Sequence, residues 1–367
     1  MTSPCYTPLV QSLSSAAPFV SPDTQERLRG KPYKARLGAN ENGFGPSPLA
    51  IKAIQENAGD VWMYGDELSF ELRTALAAKY DIEIGNVIVG EGIDGLLGNL
   101  ARLLVESGTN VVTSIGAYPT FNYHVNAFGG TLHSVPYRDD KEDLEGLLAK
   151  VKETNATLVY LANPDNPMAS WHGAKAVNEF ANALPDDCLL CLDEAYVEFA
   201  PQDQVLPIDI HNPKVIRFRT FSKAYGMAGL RVGYGIASTE LILSFNKIRN
   251  HFGVNRLAQV GALAALADEN WLASTIKKVG AAKARIGEIA KDNGFTALAS
   301  ATNFVTIDTG RDGDYAKAIV EACGASDVFI RMPFAAPENR CLRVSAGPES
   351  EIELFGQALA GAIKTVG

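Results

Sequence analysis

The stretch Arg219-Thr220-Phe221-Ser222-Lys223-Ala224-Tyr225-Gly226 decides how the rest of this chain is read. A strand-like run, Val215-Ile216-Arg217-Phe218, leads into it. A glycine-punctuated run, Gly226-Met227-Ala228-Gly229-Leu230-Arg231, leads out. An amine flanked by hydroxyls, at the end of a strand and close to a second cation, is placed to form an imine beside a phosphate. Holding pyridoxal phosphate (PLP) requires that arrangement.

Outward from Lys223, short apolar runs alternate with helix-like segments. Strands are expected at 86–89, 110–114, 131–135, 157–161, 189–193, 215–218 and 231–236, with helices such as 93–104 and 174–183 between them. Most of these runs are continuously apolar rather than alternating, the pattern of strands covered by helices on both faces. The expected class is therefore α/β, with a mostly parallel sheet in a large domain over 36–245. Beyond that the character changes. Ala-rich helices are expected at 257–267 and 271–293, short strands at 302–307, 328–331 and 341–344, and a closing helix at 349–364. This reads as a smaller α+β domain over 246–367. Residues 1–35, rich in Ser and Pro, read as an arm belonging to the small domain.

Composition narrows the function. The 367 residues are 47% hydrophobic and 20% charged, with 33 basic against 42 acidic side chains, a net charge of −9. Such an acidic chain is a poor general partner for nucleic acid or anionic membranes, and small-molecule chemistry is expected instead. No apolar run approaches the ~18 residues of a membrane span. The first residues lack a signal-peptide pattern, so a cytoplasmic location is expected. The five cysteines include Cys188-x-x-Cys191 inside an apolar run. Positions three apart on a strand point to opposite faces, so these thiols diverge and read as buried packing groups rather than a metal or redox pair. The five histidines show no metal-ligand spacing, and no metal site is expected.

Gly90-Glu91-Gly92-Ile93-Asp94-Gly95 spells G-x-G-x-x-G after a strand and at a helix start. A dinucleotide site would need an acid ~20 residues on, at the end of the next strand. No acid occurs between Ser107 and Arg138, so the NAD reading fails its own test. What survives is a turn whose free N–H groups bind an anion, or a tight turn with no ligand. Asp193 ends the apolar strand at 189–193. A carboxylate there is costly unless paired, and with PLP present it would face the pyridine nitrogen. Tyr196, three residues on, can reach the ring's 3-oxygen. A capping Asp with an ordinary Tyr behind it is the plainer reading. Asn163-Pro164-Asp165-Asn166-Pro167 makes a rigid turn that presents Asn166. Arg331 and Arg343 lie beside short strand-like runs, where guanidinium forks can bind carboxylate or phosphate. The Gly turn, Asn166, Asp193 and Lys223 each follow a strand, so they gather at the carboxyl edge of one sheet, where ligands of open α/β sheets sit.

The chain resembles the fold-type I PLP-dependent aminotransferases, class II branch, and within it the histidinol-phosphate aminotransferase subfamily. The resemblance runs from Ala39-Asn40-Glu41-Asn42 to the last helix and is most specific at 222–233. It implies that Lys223 carries the cofactor, that Asp193 meets the pyridine nitrogen, and that Tyr196 and Asn166 hold the 3-oxygen. Ser222, Arg231 and the backbone of Gly92, Ile93 and Asp94 would form the phosphate cup, and Phe121 would stack on the ring. Tyr64 would reach the phosphate of a neighbouring subunit's cofactor, which implies a homodimer with shared sites. Arg343, Arg331 and Asn40 would bind substrate. The implied activity is ping-pong transfer of an amino group between histidinol phosphate, or a related amino acid, and 2-oxoglutarate. The alternatives are an aromatic amino-acid aminotransferase or other PLP enzyme of this fold and, more distantly, a non-enzymatic PLP-fold binding protein. Two departures bear on the substrate. Met168-Ala169 stands where the family has Thr-Gly, and Phe19 stands where it often has a phosphate-binding Tyr.

Overall fold

The computed structural model describes residues 4–15 and 20–367. Phe19 lies outside the described residues. The strands, in chain order, are β1 (Ala35–Arg36), β2 (Val87–Gly90), β3 (Asn110–Ser114), β4 (Thr131–Val135), β5 (Leu158–Ala162), β6 (Leu189–Asp193), β7 (Val215–Thr220), β8 (Gly233–Ile236), β9 (Thr296–Ala297), β10 (Phe304–Asp308), β11 (Val328–Phe329) and β12 (Cys341–Ser345).

Seven of them make one sheet in the order β2-β8-β7-β6-β5-β3-β4. Only β8 runs antiparallel to its neighbours. The mostly parallel α/β sheet expected from the apolar runs is present. Its two faces bury separate clusters. Leu158 and Tyr160 pack with Leu96, Leu100 and Phe218 on one side, while Val159 and Leu161 pack with Val177, Phe180 and Leu190 on the other. The two-residue period of β5 accounts for this division. Cys191 belongs to the first cluster and Cys188 to the second, so the thiols do diverge.

From β3 the chain goes outward to β4, then returns across β3 to β5. Connections therefore leave β3 and β5 in opposite directions, and a crevice opens at their carboxyl ends. The segments after β3, β5, β6 and β7 line that crevice.

A second sheet, β12-β10-β9, is antiparallel, and a short parallel pair joins β1 to β11. The helices Glu269–Asp292, Gly313–Ala325 and Glu349–Val366 belong to this C-terminal unit. Because β1 pairs with β11, the start of the chain is tied to the C-terminal part. One apolar cluster runs through both units, taking in Leu72, Leu76, Tyr234, Phe304 and Phe355.

Two details differ from the sequence reading. β8 begins at Gly233 rather than 231, because Arg231 sits at φ 54 and breaks the extended run. The weakly patterned N-terminal arm holds two helices, Pro8–Ser12 and Pro22–Arg29, each with Pro in its first turn. Thr7 and Ser21 cap them by accepting N–H bonds. Arg29 fastens the second to Asp327 at 2.6 Å.

Candidate active site

β7 ends at Thr220, whose hydroxyl accepts the Ser222 N–H at 3.0 Å and turns the chain. Phe221 is fully buried and anchors that turn, which leaves Lys223 directed into a cavity of about 680 Å³. The Lys223 amine donates to the Asn40 carbonyl at 3.1 Å and stands 5.6 Å over the Tyr196 ring. Its pKa falls to about 8, chiefly because burial penalises the charged form and secondarily because Arg343 and Arg231 are nearby.

Asp193, at the end of β6, is 5% exposed. Its Oδ2 accepts the Tyr160 hydroxyl at 2.7 Å and its Oδ1 accepts the Ala195 N–H at 2.9 Å. Burial pushes the carboxyl up to about 6, opposed by these two donors and by Lys223. Next to it, Glu194 is clamped by Arg217 at 2.6 and 3.0 Å and by Arg219 at 2.8 Å. Burial acts upward on Glu194 too, but the two guanidinia outweigh it and hold its pKa below the ordinary value. This ion cluster fixes the end of β6 against β7.

Tyr196 and Asn166 are oriented from behind. Asn40 Nδ2 donates to the Tyr196 oxygen at 3.0 Å, so the phenolic proton is free to point into the cavity. Arg343 Nη1 donates to Asn166 Oδ1 at 2.5 Å, which leaves the Asn166 Nδ2 as the donor on the cavity side. Arg343 also donates to the Gly38 carbonyl at 3.1 Å, while its Nε is buried without a hydrogen bond. Arg331 pairs with Arg343 through the backbone, with N–H bonds of 3.2 and 2.6 Å exchanged between them. Burial lowers the Arg331 pKa to about 10, with Arg343 adding to the shift. Two guanidinia lining one cavity make a strong site for an anion.

The expected phosphate cup assembles at the start of the helix Gly92–Leu104. Gly92 has φ +75, and a Cβ there would stand 2.7 Å from Arg231 Nη2. The positive φ favours glycine here, and the missing side chain leaves room for the Arg231 guanidinium. Ser222 lies 3.5 Å from Arg231 Nη1. Ile93, Asp94, Ser222 and Arg231 all line the cavity. His124 Nε2 reaches Asp94 Oδ1 at 3.1 Å.

One expectation needs correcting, and two residues have surroundings the sequence did not show. Phe121 does not line the cavity. It is 0% exposed and stacks on Tyr160, with centroids 4.7 Å apart. Phe121 lies inside the helix Pro119–Ala127, on its inward side, whereas Tyr118 caps that helix and faces the crevice. Tyr118 is the aromatic placed to cover a ring, and its position directly after the Gly116-Ala117 turn was the available signal. Asn40, expected to touch substrate, is 2% exposed and uses its amide on Tyr196 and Ser345. It also lines the cavity, so it holds Tyr196 from a position at the cavity wall. Tyr64 does not line its own chain's cavity; it is 79% exposed and packs on Phe252.

The altered turn has its own support. Ala169 takes φ 63, a conformation that costs an L-residue roughly 1–2 kcal/mol. Asp165 braces the turn by accepting the Tyr137 hydroxyl at 2.9 Å and the Met168 N–H at 2.8 Å. Thr306 of β10 donates to the Pro167 carbonyl at 2.8 Å.

These residues suit a phosphorylated carbonyl cofactor: an amine of lowered basicity, a buried carboxylate without a full cation partner, and a glycine-lined cradle beside Arg231. Amine chemistry on such a group is what the site can do. A family model described as aminotransferase class I and II matches residues 33–359. A histidinol-phosphate aminotransferase of Desulfotalea psychrophila is 33% identical over 363 residues, 97% of this chain and 94% of that protein. Histidinol-phosphate aminotransferase 2 of Pseudomonas aeruginosa is 34% identical over 357 residues, covering 96% of each. The crystal structure of histidinol-phosphate aminotransferase from Sinorhizobium meliloti in complex with pyridoxal-5'-phosphate matches with a TM-score of 0.97 and 51% identity, over 100% of this chain and 99% of that one. Aspartate aminotransferase from Thermus thermophilus, 17% identical, shares the fold with a TM-score of 0.81 over 98% of this chain and 100% of that one. The chain belongs to the class I and II aminotransferase family.

Proposed function

We propose that this chain is a PLP-dependent aminotransferase that moves an amino group between histidinol phosphate, or a closely related amine, and 2-oxoglutarate. The observation that carries the reading is the Lys223 amine held in one cavity with Asp193, the Ile93, Asp94, Ser222 and Arg231 cradle and the Arg331–Arg343 pair. Bound PLP supplies a carbonyl that condenses with amines and a ring that accepts electron density. The cradle at Gly92, Ser222 and Arg231 holds its phosphate. Asp193 would face the ring nitrogen of bound PLP, where its carboxylate would favour a proton on that nitrogen. Tyr196 O–H and Asn166 Nδ2 hold the ring oxygen. Tyr118 covers one face and excludes water. Lys223 Nζ is the amine that would hold the cofactor. Once freed, its neutral amine takes the proton from the amine-bearing carbon of the substrate and later returns it. A pKa near 8 leaves a usable neutral fraction at physiological pH. Arg331 and Arg343 receive the phosphate of one substrate and a carboxylate of the other.

The same reading makes the enzyme a homodimer. The exposed Tyr64 would reach the partner's cofactor phosphate, and Trp62, at 80% exposure, would be covered with it. Its charged metabolite substrates accord with a cytoplasmic location.

The test is the half-reaction. The PLP-loaded protein is mixed separately with histidinol phosphate, glutamate, phenylalanine and tyrosine, and the cofactor absorbance is followed. Histidinol phosphate and glutamate should shift it fastest. Response to the aromatic amino acids alone would overturn the substrate assignment, and failure to take up PLP would overturn the enzyme reading.

A further inference from the structure

Tyr160 lies in the middle of the apolar strand β5, where nothing in the sequence separates it from ordinary core. Its ring is fully buried and stacked on Phe121 at an interplanar angle of 20°. Its hydroxyl donates to Asp193 Oδ2 at 2.7 Å. The register explains the reach. Tyr160 pairs with Cys191 and Ala162 with Asp193 across the parallel β5–β6 ladder. The phenol oxygen must therefore advance two residues along the strand, about 6.6 Å, which a tyrosine ring spans. Ala162 shares that face, and its short side chain leaves the path open. A phenylalanine would fill the core equally well, so packing alone does not call for the hydroxyl.

That hydroxyl changes what Asp193 can do. A buried carboxylate with too few donors takes up a proton and stops being a partner for a cationic ring. Tyr160 and the Ala195 N–H each occupy one oxygen. They fix the rotation of the carboxylate and favour its ionised form. The phenol, locked by Phe121, has little freedom to turn away.

We propose that Tyr160 is a positioning residue for the cofactor ring: it acts through Asp193 on the ring nitrogen and contributes to cofactor affinity without touching the reacting atoms. The inference rests on the PLP reading above.

The test uses binding rather than turnover. The cofactor-free full chain and its Tyr160→Phe, Asp193→Asn and double variants are titrated by equilibrium dialysis with PLP and with its 1-deaza analogue, in which carbon replaces the ring nitrogen. Thermal melts check that each variant is folded. Loss of a hydrogen bond to a charged group should weaken PLP binding by Tyr160→Phe on the order of tenfold and leave the deaza analogue within about twofold. In the Asp193→Asn background, Tyr160→Phe should have no further effect on PLP. Equal weakening of both ligands would reduce Tyr160 to packing and overturn the proposal, as would undiminished PLP affinity. A wild-type chain that binds neither ligand overturns the PLP reading itself, and the inference with it.

Discussion

Replacing Lys223 with methionine should make the cofactor-free protein more stable at neutral pH, by an amount that shrinks as the pH rises. The amine titrates at about 8 in the folded chain, against 10.5 for an ordinary lysine. Between those values the unfolded chain binds more protons than the folded one, so wild-type stability climbs with pH through that window. Below pH 8 the full cost of burying the ammonium is present; above 10.5 it is gone. The shift corresponds to roughly 3 kcal/mol at 1.36 kcal/mol per unit. The open cavity admits solvent, which reduces this to about 2 kcal/mol. Methionine has similar length and no charge, and gives up the bond to the Asn40 carbonyl, worth about 1 kcal/mol. Urea denaturation of both proteins without cofactor at pH 7, 8, 9 and 10 measures the difference. Other titrating groups are common to both chains and cancel. The advantage of the methionine variant should be about 1 kcal/mol at pH 7 and should change by about 1.5 kcal/mol, reversing sign, by pH 10. A difference that stays constant across that range would show that Lys223 is not held in a desolvated, cation-rich pocket, and the reasoning about its basicity would fail with it.

Two further outcomes follow from the site. Arg343→Ala removes the fork that holds Asn166 and receives the substrate anion, so kcat/KM should fall by at least about a hundredfold. The loss should be shared by both half-reactions; a loss in only one would mean that Arg343 serves a single substrate. If the sites are shared between subunits, Tyr64→Ala and Lys223→Ala chains, each inactive or weak alone, should regain activity when refolded together, because about half of the molecules are mixed and each of these holds one intact site. Absence of any recovery would show that Tyr64 does not complete a neighbouring subunit's site.

The sheet was legible because its strands are buried on both faces and are written as apolar runs, and the end of each run marks where chemistry can sit. Lys223, Asp193 and Asn166 each end or follow such a run, and all three line one cavity. Phe121 was misplaced for a reason the same pattern hides. Whether an aromatic near a helix start faces the crevice or the core depends on where the first turn begins, and Pro119 sets that one residue after Tyr118. The hold of Asn40 on Tyr196 was not legible because its amide partners, Tyr196 and Ser345, are 156 and 305 residues away in the chain. Tyr160 escaped notice for the converse reason: a tyrosine in an apolar run looks like core until the β5–β6 register is known. The N-terminal helices were missed because they are too short for periodicity to show, although their Ser/Thr-Pro starts were present.

Asn40 carries one more implication. Its carbonyl accepts from both Lys223 and Asn303, its amide N–H meets Ser345, and its side chain holds Tyr196. The reactive amine and the phenol thus hang from a single residue whose other attachments are on the C-terminal unit. Any tilt of that unit against the large sheet has to pull on both groups together. A substitution at Ser345 or Asn303, remote from every bond that changes, would then be felt first as a misaligned proton transfer rather than as a loss of binding.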